Sequence, residues 1–342
     1  MAATHTSEAP PRSTRASVVV IVNRRARKLR ADAPSGELLD VLRAPRRGLR
    51  VVETGSVAEL EATADEVARE APRAVVLAGG DGSYMAGVSA LARSFAAAGS
   101  GEEAWPDIGL APGGTVSTVA RNWGMRSGGL LSASDETAAS YASRLLDAVA
   151  SGRALITQRP SLRVTDDTAS RVGFIAGAGL VSRFFEVYEA EGARGYPGAA
   201  SIVARIFAGS FARGDLAAHV LTPRPCVVEV DGASAPFDRA SLVCASVVPN
   251  LGLGMRLTYR ATGALDRFHV VATPLGASRL GPQLPLVLAG KRLLGAGNVD
   301  TLARRLELRF PEGDGAYVLD GERLVSDRVV ITPGPVLRVL SV

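Results

Sequence analysis

Residues 74–83 read AVVLAGGDGS, in which a short apolar run passes directly into a glycine-rich segment. The apolar part, Ala74–Ala78, predicts a buried strand, and the residues after the glycines, Tyr84–Ala98, predict a helix. A glycine-rich turn between a strand and a helix allows backbone N–H groups to approach an anion closely, and the helix N-terminus adds favourable dipole charge. The segment therefore predicts a phosphate site, and a tight turn in which Asp81 only caps the helix stays open as the alternative.

A second glycine-rich turn follows the next predicted strand. Ile108–Ala111 is apolar and leads into Pro112-Gly113-Gly114-Thr115. Since parallel strands end at one edge of a sheet, the two turns are expected to meet in a shared crevice. A carboxylate repels phosphate unless a cation lies between them, so Asp81 also indicates a site for Mg²⁺ together with a nucleotide.

The first half of the chain alternates between predicted strands and helices. Residues 1–15 are small and polar and predict a disordered tail. Residues 16–153 predict an α/β domain whose parallel sheet is covered on both faces. The further strands are Ser17–Val22 and Leu49–Glu53, and the further helices are Gly36–Arg43, Val57–Glu70, Val116–Trp123 and Glu136–Gly152.

The pattern changes at about residue 154, where short β-type runs separated by turn residues replace the alternation. Residues 154–342 predict a mostly antiparallel β-sandwich domain, with a return of the last residues to the first domain left open. One helical stretch, Val181–Phe211, interrupts it; its part Tyr196–Phe211 is expected to pack on the β domain, with a lipid-facing helix as the alternative. The predicted strands are Ile156–Val164, Arg171–Ile175, Cys226–Val230, Ser241–Val248, Arg256–Tyr259, His269–Thr273, Arg305–Phe310, Ala316–Leu319 and Val329–Ile331.

The composition excludes several classes of protein. The chain has 342 residues, of which 47% are hydrophobic. This length favours two domains, and the ordinary apolar content excludes disorder along the whole chain. The two cysteines, Cys226 and Cys244, lie in apolar runs and are expected to be buried free thiols, whereas three histidines far apart in sequence give no zinc site.

The charge favours anionic partners. The chain carries 39 Lys and Arg against 34 Asp and Glu, a net charge of +5. Such a balance suits nucleotides or anionic lipid surfaces, but the dispersed arginines and the lack of a recognised module argue against nucleic acid. No apolar run approaches the ~18 residues that a membrane span needs. We therefore expect a cytoplasmic protein, with peripheral contact at the inner membrane face left open.

Together these motifs resemble the diacylglycerol kinase catalytic-domain family, which includes bacterial diacylglycerol kinases, YegS-type lipid kinases, sphingosine kinases and ceramide kinases. The resemblance is carried by GGDGS at 79–83, PGGT at 112–115, Ala120-Arg121, and the late Asp320-Gly321-Glu322. It extends to Asn23 after the first strand and to segment 173–179, and it covers most of the chain.

The resemblance implies a kinase that uses ATP and Mg²⁺ to phosphorylate a lipid hydroxyl at a membrane surface. Diacylglycerol is the default acceptor, and a sphingoid base or ceramide is the alternative. The implied fold is an NAD kinase-like, ATP-binding first domain and a second domain that helps to form the lipid cleft. Asp320 would activate the hydroxyl, Glu322 would support it or the metal, and Asp81 is the candidate metal ligand. The residues that would line the nucleotide site are Asn23, Lys28, Gly79, Gly80, Asp81, Gly82, Ser83, Gly114 and Thr115.

The chain departs from the family's pattern near the second glycine turn. Where the family commonly reads Gly-Thr-x-Asn-Asp, an amide and a carboxylate are replaced by the hydroxyls of Ser117 and Thr118. Ser83 stands where Thr is usual, and Arg24 replaces the usual Pro. A weakened kinase or a non-catalytic lipid- or nucleotide-binding homologue is therefore an alternative. NAD kinase is another, because it shares the GGDG-type turn and the two-domain plan.

The Asp320-Gly321 segment has an internal control in Asp231-Gly232, which lies in a similar sequence context. From the residues alone, both predict only a hairpin with an Asp-Gly turn. The resemblance separates them, because it places Glu322 two residues after Asp320 near the chain end.

Overall fold

The computed structural model describes residues 18–29, 36–114, 116–125, 136–193, 195–212, 214–262, 264–311 and 315–342. The predicted tail lies outside the described residues. The first part of the chain alternates strands and helices: β1 (Val18–Asn23), α1 (Glu37–Arg43), β2 (Leu49–Thr54), α2 (Val57–Glu70), β3 (Ala74–Gly79), α3 (Asp81–Ala97), a 3₁₀ turn (Glu102–Ala104), β4 (Asp107–Pro112), α4 (Thr118–Trp123), α5 (Ala138–Ala150) and β5 (Leu155–Arg159).

The remainder of the chain is rich in short strands. Among the helices of the described residues, none is both long and apolar enough to cross a membrane. The elements are β6 (Leu162–Asp166), β7 (Ser170–Gly173), β8 (Ile175–Gly179), α6 (Leu180–Ala190), α7 (Gly195–Ala212), α8 (Asp215–Leu221), β9 (Arg224–Pro225), β10 (Val227–Val230), β11 (Ala233–Ser234), β12 (Arg239–Ala240), β13 (Leu242–Ser246), β14 (Phe268–Thr273), α9 (Ala277–Leu280), a 3₁₀ turn (Gly281–Gln283), α10 (Leu284–Leu288), β15 (Val299–Ala303), β16 (Leu306–Arg309), β17 (Ala316–Leu319), β18 (Glu322–Val325), β19 (Arg328–Pro333) and β20 (Leu337–Ser341).

The first sheet has the strand order β2-β1-β3-β4-β20-β5. Its strands are parallel except β5, which is antiparallel to β20. Val18, Val20 and Val22 pack against α1 and α5, whereas Val19 and Ile21 pack against α2 and α3. Because both faces of β1 are covered, every position of the strand is apolar and β-branched until it ends at Asn23.

Two strands that follow residue 153 belong to this first sheet. β5 and β20 lie at its edge, and β20 pairs in parallel with β4. The chain thus leaves the first domain after β5 and returns with its last strand. The domain boundaries drawn from the sequence stay predictions.

The second domain is built from two six-stranded antiparallel sheets, ordered β11-β10-β16-β19-β6-β7 and β15-β14-β13-β8-β17-β18. Apolar residues of both sheets, such as Leu306 and Val270, belong to one core, as expected for a sandwich. Cys226 and Cys244 are buried free thiols, as predicted, and burial raises the pKa of each to about 12. The predicted fold class is confirmed.

Four of the predicted elements differ from the structure in more than their ends. Arg171–Ile175 covers most of β7 and the start of β8, which lie in different sheets. Ile156–Val164 is two strands in different sheets, because Pro160 interrupts the run and cannot donate a ladder hydrogen bond. Arg256–Tyr259 is a turn rather than a strand. The helical stretch Val181–Phe211 is two helices, separated by a turn in which Gly192 has a φ of +58°.

The two domains are joined by buried polar and aromatic contacts. The Ser89 hydroxyl of α3 accepts a hydrogen bond from the Val172 N–H of β7 at 2.8 Å and donates one to the Val172 carbonyl at 3.1 Å. Trp123 of α4 meets Phe174 edge to face, with ring centroids 5.1 Å apart. These contacts hold α3, which begins at the first glycine turn, against the second domain.

We expect Ser89→Ala to lower the free energy of unfolding by about 1–3 kcal/mol, because both backbone groups of Val172 would be left buried without partners. Urea unfolding followed by fluorescence measures the change. Ser140→Ala, at an exposed position of α5, is the control and should change stability by less than about 0.5 kcal/mol. Equal effects of the two substitutions would contradict the role given to Ser89.

Candidate active site

The two glycine-rich turns meet at the carboxyl edge of the first sheet. The N–H groups of Gly113 and Gly114 both donate to the Gly79 carbonyl, at 2.6 and 3.0 Å. A Cβ at Gly80 would lie 3.2 Å from the Cα of Gly114, and a Cβ at Gly114 would collide with Gly80. Glycine is therefore required at both positions, because the turns touch through their backbones.

Asn23 and Ser83 form a polar contact above these turns. The Asn23 amide Nδ2 donates to the Ser83 hydroxyl at 2.8 Å, and the Asn23 carbonyl Oδ1 accepts from the Arg25 N–H at 2.9 Å. The Ser83 Oγ also accepts from the Gly80 N–H at 3.3 Å. The end of β1 is thereby fixed to the first turn of α3, whose N–H groups have no partner within the helix.

Basic side chains converge on the same edge. The Lys28 N–H donates to the Gly113 carbonyl at 3.0 Å, which fixes the residue beside the second glycine turn. Burial and the neighbouring charges of Arg121 and Arg27 lower the pKa of the Lys28 ammonium. These positive charges repel one another, and an anion bound among them would offset the repulsion. The arrangement therefore suits phosphate groups.

An open cleft with a cavity volume of about 130 Å³ extends from this edge between α2 and α3. Asn23, Thr54 and Ser83 supply polar groups, and Leu60 and Leu77 supply apolar surface. The cleft is shallower than a typical closed small-molecule pocket, and its polar end lies at the glycine turns.

Asp81 is half-buried in the first turn of α3 and holds the start of α4. Its Oδ2 accepts from the Thr118 N–H at 2.7 Å, and its Oδ1 accepts from the Val119 N–H at 2.9 Å. Burial raises the pKa of Asp81 against the effect of these bonds. The described residues contain no group of three or more His, Cys, Asp or Glu side chains able to hold a metal ion. The donor set therefore does not fit a protein-built Mg²⁺ site, and the metal role of Asp81 stays a prediction.

Asp320 holds a turn in the second domain. It has a φ of +50°, is 5% exposed, and its two carboxylate oxygens accept from the N–H groups of Phe174 and Ile175, each at 2.9 Å. Burial, and after it the charge of Asp81, raises the pKa of Asp320 well above its ordinary value. The two carboxyl groups, one from each domain, thus lie close enough to affect each other's ionisation.

Glu322 is exposed and lies on the first turn of α3. A Cβ at Gly82 would lie 2.6 Å from the Glu322 Oε1 and 3.2 Å from its Cγ. Only glycine at 82 allows this approach. The structure thereby places one free carboxylate of the second domain at the helix N-terminus beside the phosphate-binding turns.

The Asp231-Gly232 turn, the internal control for Asp320-Gly321, has similar backbone φ angles but different surroundings. Asp231 and Gly232 have φ of +49° and +83°, close to the +50° and +91° of Asp320 and Gly321. The Asp231 Oδ1 also accepts two backbone N–H groups, at 2.9 and 2.7 Å. Both aspartates are therefore turn-holding residues, and what distinguishes the later turn is the carboxylate of Glu322.

The structure brings nearly all of the predicted site residues to one place. Asn23, Lys28, Gly79 to Ser83, Gly114, Asp320 and Glu322 lie around the glycine turns, and Thr115 lies outside the described residues. Sequence reasoning left out Thr54 and did not assign Arg121 to the site. Thr54 is the last residue of β2, and Arg121 belongs to the Ala120-Arg121 motif of the resemblance. Both residues could have been assigned to the site from the end of the strand and from the full motif.

Comparison with known proteins agrees with this geometry. Residues 17–148 match the family model of the diacylglycerol kinase catalytic domain. A solved structure of a candidate diacylglycerol kinase from Bacillus anthracis strain Sterne aligns with a TM-score of 0.63 and 16% identity, over 97% of this chain and 96% of that chain. A second structure, of a diacylglycerol kinase from the same strain, aligns with a TM-score of 0.58 and 14% identity, over 96% and 97% of the two chains. No curated protein matches the chain significantly. The match of residues 17–148 confirms the resemblance, and the solved structures confirm the two-domain fold.

The carboxyl groups of Asp81 and Asp320 make stability depend on pH in a defined direction. Because folding raises both pKa values, the folded chain binds more protons than the unfolded chain above about pH 4, and the contribution of these groups to stability falls as pH rises. Asp81→Asn removes the Asp81 carboxyl group, whose pKa is raised, and it also removes the charge that helps to raise the pKa of Asp320.

The free energy of unfolding of Asp81→Asn relative to the wild type should therefore increase from pH 4 to pH 8, by about 1.4 kcal/mol for each unit by which folding raises the pKa. The lost hydrogen bond adds a constant that does not change with pH. Urea unfolding midpoints at several pH values measure the difference. A difference independent of pH would show that the two groups do not titrate as argued.

Proposed function

We propose that this chain is an ATP-dependent lipid kinase that transfers the γ-phosphate to a lipid hydroxyl, with diacylglycerol as the default acceptor. The match of residues 17–148 to the diacylglycerol kinase catalytic domain supports the reaction class. The observation that carries the proposal is the position of Glu322, whose carboxylate lies on the N-terminal turn of α3 at Gly82. A phosphate cradle and a free carboxylate at one point are what transfer to a hydroxyl requires.

The nucleotide would occupy the cleft between α2 and α3, with its phosphates at the glycine turns. Lys28 and Arg121 supply positive charge there, and the N–H groups of the first α3 turn supply donors. Mg²⁺ would neutralise charge on the phosphates when bound. Because the described donor set does not fit a protein-built metal site, the phosphates themselves would supply most of its ligands.

We assign the hydroxyl-accepting role to Glu322 and a positioning role to Asp320. The sequence resemblance favoured Asp320 as the activating group, and that assignment stays a prediction. Its two oxygens accept backbone hydrogen bonds and its pKa is raised, whereas Glu322 is exposed at the cradle. In a phosphoryl transfer, orientation of the hydroxyl matters more than proton abstraction, so one accessible carboxylate is enough.

An apolar acceptor is favoured by the aromatic side chains beside this turn. A Cβ at Gly321 would lie 4.0 Å from the Phe185 ring of α6. Phe184, Phe185 and Tyr188 contact one another along that helix. Apolar surface next to the proposed hydroxyl site suits a lipid better than a sugar or a dinucleotide.

A non-catalytic binding protein is the second candidate, favoured by Ser117 and Thr118 in place of the family's amide and carboxylate. Such a protein would bind nucleotide or lipid at the same cleft without turnover. No structural feature favours NAD kinase over these two, and NAD therefore enters only as an arm of the assay.

The test is transfer of label from [γ-³²P]ATP to a panel of diacylglycerol, sphingoid base, ceramide and NAD, separated by thin-layer chromatography. We expect label in a lipid, with diacylglycerol labelled most. Label only in NAD would overturn the lipid assignment. No label in any acceptor, together with measurable ATP or lipid binding, would establish the non-catalytic alternative.

Glu322→Gln should lower kcat by about 10²- to 10⁴-fold, because the amide keeps the size of the side chain but loses the charge that holds the acceptor hydroxyl. Binding of ATP, measured by calorimetry, should change little. Glu102→Gln, at an exposed position remote from the glycine turns, is the matched control and should keep full activity.

A second pair of variants separates positioning from catalysis. Asp320→Asn and Asp231→Asn each disturb a turn of the same conformation, so both should lower stability. Only Asp320→Asn should also lower kcat, since its turn carries Glu322. An unchanged kcat in Glu322→Gln would remove that residue from the mechanism.

A further inference from the structure

Many arginines of this protein form ion pairs with acidic side chains, but four basic side chains around α10 do not. Arg205 pairs with Glu191 and Arg338 with Asp107, each at 2.6 Å, and many others are paired likewise. Within the described part of the chain, no ion pair is formed by the four side chains Arg256, Arg279, Lys291 and Arg292.

The absence of pairing follows from the sequence around these cations. Residues 267–299 contain no Asp or Glu, and residues 192–214, which include α7, contain none either. Arg205 and Arg267 pair with acidic residues that lie just outside the two segments. Within residues 267–299, Arg279, Lys291 and Arg292 thus carry positive charge without an acidic partner among the described residues. In a chain with 34 acidic residues, this distribution makes one region of the surface distinctly positive.

Large apolar side chains are exposed among these cations. Phe211 at the end of α7 is 64% exposed, Leu288 at the end of α10 is 40% exposed, and Leu294 in the following loop is 66% exposed. We call these three residues together with the four cations the α10 surface. Scattered single exposed apolar residues are ordinary, but a group of them ringed by unpaired cations marks an interaction site.

Backbone and side-chain contacts hold the α10 surface together. The Gln283 amide Nε2 donates to the Leu294 carbonyl at 2.9 Å, and the Leu294 N–H donates to the Gln283 Oε1 at 2.6 Å. Gly281, two residues earlier, packs directly on Ser210, the neighbour of Phe211. The 3₁₀ turn therefore connects the end of α7 to the loop that carries Leu294.

The cations of the α10 surface are fixed by the same elements. The Lys291 N–H donates to the Leu286 carbonyl at 2.9 Å, closing α10 through Gly290, whose φ is +64°. The Arg256 N–H donates to the Val287 carbonyl at 3.0 Å, which places that residue against the other side of the helix. Basic groups thus flank the short helix and its exposed leucine.

We propose that the α10 surface docks on an anionic lipid bilayer, with Phe211, Leu288 and Leu294 in the headgroup region and the cations on lipid phosphates. Charge complementarity selects this occupant: a two-fold contact with a second copy would oppose four cations with the same four cations. A bilayer is considered because the inference rests on the proposed lipid-kinase function. It goes beyond that function by assigning a binding surface away from the glycine turns.

The test is co-sedimentation of the protein, without ATP, with vesicles of phosphatidylcholine alone and with 30% phosphatidylglycerol. We expect binding only to the anionic vesicles and weaker binding at high salt. Lys291→Gln and Arg292→Gln should each weaken binding about five-fold. Leu294→Asp should weaken it at least as much, because it introduces a negative charge at the bilayer.

Matched controls lie on the first domain. Leu155, on the edge strand β5, is 67% exposed, so Leu155→Asp makes the same change at a similarly exposed position and should bind vesicles like the wild type. Arg47 is exposed and unpaired within the described residues, and Arg47→Gln is the control for charge. Equal binding by the α10 variants and these controls, or no binding of the wild type, would overturn the proposal.

Light scattering tests the remaining alternative, in which a second copy of the chain binds the α10 surface. A wild-type dimer that Leu294→Asp converts to a monomer would make the α10 surface an interface between copies and would also overturn the proposal. Turnover of the wild type on a short-chain dispersed acceptor is measured separately. If the chain is not a lipid kinase, this turnover measurement will show no product. The docking proposal is tested only by the binding to vesicles.

Discussion

The approach of Glu322 to Gly82 is the contact on which the candidate site depends. It joins a hairpin of the second domain to the first turn of a helix in the first domain, and a side chain at residue 82 would prevent it. Several features of the fold maintain this contact. Ser89 fixes α3 to Val172, and Asp320 fixes the hairpin to the adjacent strand β8. The site is thus an interface between domains rather than a property of either one.

Charge is distributed on this protein in three distinct ways. Many arginines form exposed ion pairs, which contribute little stability individually. At the glycine turns, Lys28 lies beside Arg121 and Arg27, where repulsion between the cations is relieved by a bound anion. At the α10 surface, cations lie among exposed apolar side chains. The net charge of +5 therefore understates the local fields at these two places.

The sequence predicted the first domain well because its elements are governed by local patterns. The helix Val57–Glu70 has the predicted bounds, and β1 to β4 differ by a residue or two at their ends. Long apolar runs, caps and glycine turns are sufficient there. The second domain was predicted less accurately, because its short strands are fixed by partners distant in sequence. The strand Arg171–Ile175 ends early, since the Phe174 N–H bonds Asp320 rather than a neighbouring strand.

The candidate catalytic residues were predicted mainly from the resemblance to a known family, and only partly from the residues and their spacing. Asp231 and Asp320 read alike, and the structure shows that both hold turns, so their sequences could not distinguish them. The approach of Glu322 to Gly82 joins residues 240 positions apart, and no local pattern encodes it. The exposed leucines of the α10 surface were likewise hidden in a run that reads as ordinary core.

The replacement at Thr118 has a physical consequence that connects these observations. The backbone N–H groups of Thr118 and Val119 stabilise the Asp81 carboxylate, and the charge of Asp81 in turn raises the pKa of Asp320. An aspartate at 118, as in the family's pattern, would add a third carboxyl group at this point, which favours a bound cation to separate the charges. Thr118 removes that charge, and its backbone N–H donates to the Asp81 Oδ2 at 2.7 Å. The departure therefore removes a potential metal ligand while the contact between the starts of α3 and α4 is kept. This supports the proposal that the phosphates of a nucleotide would supply most ligands of a bound Mg²⁺.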